Sequence, residues 1–193
     1  MNVITLEAEL KVYHFNNEAK GEYVGFNIFV VENGNECLVI DTAFRRHFNQ
    51  LQEDLNSQGK KITTVITTHF HRDHIGGLLK LQDATKYASI DCEKTIRKVF
   101  KEQPYSKYLP DIYVENTKTI TFGNHTITMI QNPGHSIDGL LVVIDDKYVF
   151  IGDDMIYSRD FEELKPFASE GDFDEHINSL NRIKKLDDQH LLK

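Results

Sequence analysis

Basic residues are what this chain is short of: 22 Lys and Arg stand against 30 Asp and Glu, a formal net charge of −8. No basic run and no interleaving of aromatic with basic residues offsets that balance. A nucleic-acid partner is therefore not expected, and neither is attraction to an anionic membrane. Long apolar runs are missing too. No stretch approaches the roughly 20 residues of a membrane span. The N-terminal Met1-Asn2-Val3-Ile4-Thr5 has neither the charged start nor the apolar centre of a secretion signal, so a cytoplasmic location is expected. Cysteine is nearly absent. Cys37 and Cys92 form no C-x-x-C pair, and Cys37 abuts the apolar run Leu38-Val39-Ile40 as a core thiol, which sets thiolate metal ligation aside. Repeats, low-complexity segments and linkers are lacking as well. The 193 residues, 40% of them hydrophobic, read as one domain with enough chain for a sizeable core. Oligomeric state is not set by composition, and a homodimer stays open.

Histidine, by contrast, is concentrated. Of nine in the chain, three fall in Thr68-His69-Phe70-His71-Arg72-Asp73-His74, followed at once by Ile75-Gly76-Gly77. The run before it, with Ile62, Val65 and Ile66, reads as a buried strand. In extended chain, residues i and i+2 face the same way, so His69 and His71 can grip one metal ion together. Asp73 and His74 lie one step further round the loop, turned towards a second position. A polar surface loop that happens to be rich in histidine is the alternative, and the density of ligands at this spacing argues against it.

Along the chain, residues 3–14 alternate as a strand, and Val24–Val31 and Glu36–Ile40 are two more about the turn Glu32-Asn33-Gly34-Asn35. Phe44–Ser57 has helical spacing (Phe44, Phe48, Leu51, Leu55), closed by Gly59. The strand Ile62–Thr67 delivers the histidine loop, and a short helix covers Leu78–Leu81. Tyr87–Ile90 is a strand, and Asp91 caps a helix to about Glu102. Gln103–Val114 reads as irregular; its Tyr105, Tyr108 and Tyr113 either line a pocket or pack the loop on the core. Two hairpins follow, Thr117–Phe122 with His125–Ile130 and Leu140–Ile144 with Tyr148–Ile151. A last helix, Asp172–Leu186, shows one apolar face of Phe173, Ile177, Leu180 and Ile183, and His190-Leu191-Leu192 begins a final strand. His14, His47, His125 and His176 have no motif around them and read as surface or core residues.

The H-x-H-x-D-H run at a strand end resembles the hallmark of the metallo-β-lactamase superfamily. Pro133-Gly134-His135-Ser136 and Gly152-Asp153-Asp154 follow in that family's order and spacing, so the likeness extends from about Phe26 to about Leu192. The fold it implies is α/β, a four-layer αββα sandwich with the site along one edge. The cofactor it implies is a pair of divalent metal ions, zinc first, with manganese or iron as alternatives. His69, His71 and His135 would hold one ion, Asp73 and His74 the other, and Asp153 would bridge them; Asp154 competes for that role because only one of the two can point inward. Asp41, at the end of its strand, would support the metal loop from behind, or else cap the following helix. The family also carries a last histidine ligand in a glycine-flanked loop after the final strand. Lys193 falls at about the end of that strand, and His190, without a glycine beside it, is not given the role. The domain is thus expected to stop just before that loop, leaving the second ion fewer donors and a weaker hold.

The implied activity is hydrolysis by metal-bound hydroxide, with Asp73 steering the water or passing its proton to the leaving group. A small-molecule ester, lactone or thioester is the expected substrate. The alternatives are phosphodiesterase or β-lactamase activity, and a metal-binding or sensor protein impaired in catalysis. His71 argues against the di-iron redox branch, where glutamate stands at that place. The length leaves no room for the C-terminal domain of glyoxalase II-type thioesterases, no basic arm suggests a tRNA-processing nuclease, and no signal suggests an exported β-lactamase. Tyr157 and the stretch Phe161–Lys184 resemble acyl-homoserine-lactone lactonases, whose tyrosine lies near the substrate carbonyl. Tyr157 would take that place, one residue further on if Asp153 is the bridge, whereas aligning the tyrosine would make Asp154 the bridge; the other reading of Tyr157 is plain packing.

Overall fold

Strands that are apolar on both faces need cover on both faces, and the order of elements supplies it. The computed structural model describes residues 1–15, 25–100, 104–153, 156–157, 163–164, 171–186 and 190–192. Its first sheet contains β1 (Asn2–Glu7), β2 (Leu10–Phe15), β3 (Phe26–Asn33), β4 (Glu36–Ile40), β5 (Lys61–Ile66), β6 (Thr85–Ser89) and β7 (Ile112–Val114), side by side in that order. β1 to β4 pair antiparallel and β4 to β7 parallel. Parallel neighbours need a crossover; α1 (Arg45–Ser57) makes it between β4 and β5, and α2 (Cys92–Val99) lies between β6 and β7.

The second sheet is formed by β8 (Thr117–Phe122), β9 (His125–Gln131), β10 (Leu140–Ile144) and β11 (Tyr148–Phe150), paired antiparallel in sequence. The short strands β12 (Ile156–Tyr157) and β13 (Glu163–Leu164) pair with each other, α3 (Phe173–Lys184) follows, and β14 (His190–Leu192) joins β11 in parallel.

Three apolar clusters separate four layers. Along β4, Leu38 and Ile40 face the second sheet while Cys37 and Val39 face the helices. Along β10, Leu140, Val142 and Ile144 face the first sheet while Leu141 and Val143 face α3. This period of two is why both strands read as unbroken apolar runs. The inter-sheet cluster joins Phe29, Leu38, Ile40 and Ile66 to Ile127, Met129, Val142 and Phe150, with Phe29 and Phe150 edge to face at 4.4 Å. On the outer side of the first sheet, Phe48, Leu51 and Leu55 of α1 and Ile96 of α2 fill the second cluster; Ile183 of α3 closes the third. The architecture is the αββα sandwich expected from the sequence.

Several local expectations need correction. The strand over 3–14 is two strands, because the chain turns back at Ala8 and Glu9 and β1 pairs on β2. The segment read as irregular contains a 3₁₀ turn, Ser106–Tyr108, and the edge strand β7; three residues in parallel pairing leave little periodicity to detect. Tyr105 and Tyr108 pack on the core beside Arg97 and Phe100, whereas Tyr113 is exposed. Leu78–Lys80 is a 3₁₀ turn rather than a helix. The helix over α2 stops at Val99, and Asp91 pairs with Lys94 at 2.6 Å instead of capping through its side chain.

α3 is turned from its expected face: it buries His176, Ser179 and Ile183, while Phe173 is 75% and Ile177 42% exposed. The cause is polar. Asn132, buried after β9, donates to Ser179 Oγ and accepts from Arg182 Nε at 2.7 Å, so the helix docks by hydrogen bonds rather than by its largest apolar stripe.

Leu38 is fully buried between the sheets. Leu38→Ala is expected to lower stability by about 3 kcal/mol, read as a shift of the urea midpoint at unchanged slope. A loss below about 1 kcal/mol would mean that the inter-sheet layer is not closely packed.

Candidate metal centre

β4 and β5 run parallel and in register at their ends (Ile40 beside Ile66), so Asp41 and the loop after β5 emerge next to each other. Asp41 turns back in a left-handed conformation, φ 60°, with its N–H donating to Ile66 O at 2.8 Å. Its Oδ1 accepts from Thr68 N at 2.8 Å; its Oδ2 accepts from Thr68 Oγ1 at 2.7 Å and from His74 Nδ1 at 2.8 Å. Of the two roles open to Asp41, the structure shows support of the loop: the α1 N-cap is Phe44 and has no side-chain cap bond.

The rest of the loop is tied down by backbone. Thr42 donates to His74 O from both N and Oγ1 at 2.8 Å, and Gly76 N donates to Ala43 O at 2.8 Å. Gly76 is required there, since a Cβ would stand 2.4 Å from Arg45 N and 2.5 Å from Ala43 O.

The second sheet supplies the other side. Leu140 N donates to Thr68 O at 2.9 Å, a backbone bond that joins the two sheets at this rim. After β9 the chain carries His135, and after β11 it turns at Gly152 (φ 55°, close over Thr68 Oγ1) to bring in Asp153. His71 Nδ1 lies 3.0 Å from His69 Nε2 and 3.2 Å from His135 Nε2. Asp153 Oδ2 lies 3.9 Å from His69 Nε2, 3.7 Å from His135 Nε2 and 3.3 Å from His74 Nε2; Asp73 Oδ2 is 4.0 Å from the same His74 atom. His69, His71, His135 and Asp153 thus form one group, and Asp73, His74 and Asp153 a second, with Asp153 in both.

Donors about 2.0–2.2 Å from a tetrahedral zinc ion stand about 3.3 Å apart. In the first group the two nitrogen spacings, 3.0 and 3.2 Å, lie close to that value and the Asp153 oxygen stands further off at 3.7 and 3.9 Å, so its atoms could close on a divalent cation with a small shift of the carboxylate. In the second, His74 Nδ1 donates a hydrogen bond to the Asp41 carboxylate, and its Nε2 faces Asp73 and Asp153.

Protonation follows burial and charge. Burial, with His74 close by, holds His69 well below the ordinary imidazole range, and burial brings His135 down to about 4, so both favour the neutral ring at pH 7. Burial also acts to lower His74, but the Asp153 and Asp41 carboxylates outweigh it and raise it well above the ordinary value. Asp153 shows the converse: burial would raise it, and the surrounding imidazoles, His74 foremost, bring it far below the usual carboxylate range. The Asp153 and Asp73 side chains are 26% and 31% exposed, against 3% for His69, so the group is open to solvent on the carboxylate side.

Asp154 and the side chains of Tyr157 and His190 lie outside the described residues. His14, His47, His125 and His176 take part in neither group. Sequence reasoning missed Thr68, Thr42 and Asp138. Thr68 precedes the motif, where its hydroxyl could have suggested a loop anchor; Asp138 carried no spacing signal at all.

A model of the metallo-beta-lactamase superfamily matches residues 24–189. The chain belongs to that superfamily. Its members are generally hydrolases and bind divalent metals. Among curated relatives, hydroxyacylglutathione hydrolase of Haemophilus ducreyi is 24% identical over 169 residues, covering 86% of this chain and 63% of that protein. Atrochrysone carboxyl ACP thioesterase of Passalora fulva is 26% identical over 146 residues, 72% of this chain and 41% of that one. The chain spans between 39% and 63% of the length of the first curated relatives it matches. The metallo-beta-lactamase from Pontibacter korlensis superposes with a TM-score of 0.79 at 15% identity, over 95% of this chain and 85% of that one, a likeness of fold. Among the described residues no helix is long and apolar enough to cross a membrane.

Asp41→Asn preserves size and tolerates the left-handed backbone. Its amide must either face Thr68 N–H, donor to donor, or donate to His74 Nδ1 and push the ring proton onto Nε2. The expected result is a roughly ten- to hundredfold loss of affinity for a divalent cation at the Asp73–His74–Asp153 group, read by zinc titration against a chromophoric chelator. Unchanged affinity would remove Asp41 from that role.

Proposed function

We propose that this protein is a metal-dependent hydrolase acting on a small ester, thioester or lactone. The observation that carries the reading is the convergence of three imidazole nitrogens, 3.0 and 3.2 Å apart in sequence, on a face closed by the Asp153 carboxylate. His69, His71 and His135 would hold one divalent cation, Asp73 and His74 a second, with Asp153 between them and zinc the foremost occupant. Cations bound there would supply Lewis acidity towards a carbonyl oxygen and make water acidic enough to react near neutral pH.

The chain's own residues do the rest. The neutral His69 and His135 offer lone pairs without first losing a proton. Asp41 and Thr68 hold His74 in one orientation. Asp73, half-buried at the open side, would receive a proton and return it to the leaving oxygen or sulfur. Tyr157 is proposed to stand near the substrate carbonyl, on the lactonase-like sequence around it.

Two relatives named for a hydroxyacylglutathione hydrolase and an ACP thioesterase support the thioester among these substrates. Their likeness covers only part of either protein, so it bears on reaction class rather than on a particular acyl group.

The test uses protein prepared without chelators, assayed for metal content and for turnover of chromogenic thioesters, esters, lactones, β-lactams and bis-phosphodiesters. Turnover of one of the first three, abolished by chelation and restored by zinc or manganese, is expected. His69→Ala and His135→Ala should each cut bound metal and lower kcat/KM by at least a hundredfold with the fold intact, and Tyr157→Phe should lower kcat alone. Bound metal with no turnover on any class would favour a binding or sensing protein, and turnover confined to phosphodiesters would reassign the substrate.

A further inference from the structure

Two loops remote in sequence supply the ring nitrogens of the first group, His69 and His71 after β5 and His135 after β9. Metal–ligand distances in formed sites fall within about 0.2 Å of their ordinary values, so the span between these loops has to be held. The sheets meet there through Leu140 N and Thr68 O, a bond that lies before His69 rather than between the histidines.

One carboxylate touches both loops. Asp138 Oδ2 accepts from Phe70 N at 2.9 Å, the amide between His69 and His71. Its Oδ1 accepts from Ser136 Oγ, next to His135, and from Thr95 Oγ1 of α2 at 2.6 Å. Asp138 and Ser136 are 1% exposed and Thr95 is fully buried. A buried carboxylate is costly unless its acceptors are used, and an apolar residue of that size would stabilise a plain packing junction as well or better. These three donors belong to three separate elements, and two of them flank metal-facing histidines.

We propose that Asp138 is a positioning residue for the metal-binding face: bonded to Phe70 N and Ser136 Oγ, it sets the span across which His69, His71 and His135 reach one cation. This rests on the metal reading above. Asp138 touches neither cation nor substrate; it acts through the two loops.

Asp138→Asn can turn its oxygen to Phe70 N–H and its amide to the two hydroxyls, which rotate to accept, so both links survive. Asp138→Ala loses them, and Ser136→Ala removes only the brace within the loop that Asp138 shares with His135, leaving the bond to Phe70. Leu38→Ala, in the inter-sheet core, controls for lost stability. Each variant is prepared metal-free, its unfolding midpoint measured, and then titrated with cobalt(II), following the visible absorption and the affinity for the first equivalent. Asp138→Ala should weaken that step roughly ten- to hundredfold and alter the cobalt band, Ser136→Ala should do so about threefold to tenfold, and Asp138→Asn should stay within about threefold of the parent. Leu38→Ala should lose stability with affinity and band unchanged. Parent-like binding by Asp138→Ala, or by Ser136→Ala where Asp138→Ala does not fold, would overturn the proposal alone. A parent protein that binds no cobalt would overturn the metal reading with it.

Discussion

The short bonds from Thr68 and His74 to the Asp41 carboxylate are the constraint on which the rest of the rim depends. Asp41 sits in a backbone conformation that costs about 1–3 kcal/mol for a residue other than glycine, and Ala43, two positions on, shares it at φ 47°. Such strain persists only where the surroundings over-determine it. Here they do: the parallel pairing of β4 and β5 fixes the start, and Thr42, Gly76 and Gly77 fix the return. The loop is held at both ends before any ligand is considered, and His74 is oriented by the residue that anchors Thr68.

Charge and burial oppose each other across the site, and the winner differs from residue to residue. For His69 and His135 burial wins and the rings are neutral. For His74 two nearby carboxylates win. The difference lies in geometry rather than depth: His74 touches Asp41 at 2.8 Å and Asp153 at 3.3 Å, whereas Asp153 stands 3.7 Å or more from the other two rings. A second carboxylate in hydrogen-bond contact, Asp41, is what divides the imidazoles into two kinds.

Much of this was legible in the sequence. The apolar runs of β3, β4 and β10 announce two-sided burial, and the spacing of the histidine loop announces that His69 and His71 face one way and Asp73 and His74 another, because contacts between near neighbours are local. What was not legible depends on partners far along the chain. Asp138 acquires its meaning from an amide 68 residues away. The face of α3 was misjudged because periodicity counts apolar residues, and this helix docks through Ser179 and Arg182. Asp41 could have been a cap or an anchor; only the adjacency of two parallel strand ends decides it.

Strand order in each sheet has a kinetic side. β1 to β7 are neighbours in space in the order they occur in the chain, and so are β8 to β11. Most pairings are therefore closed over short stretches, and each sheet can assemble largely from local contacts. His69, His71, Asp73 and His74 belong to the first assembly, His135 and Asp153 to the second. Neither sheet alone holds either candidate group complete, so the groups come together only when one sheet docks upon the other, not when either sheet forms.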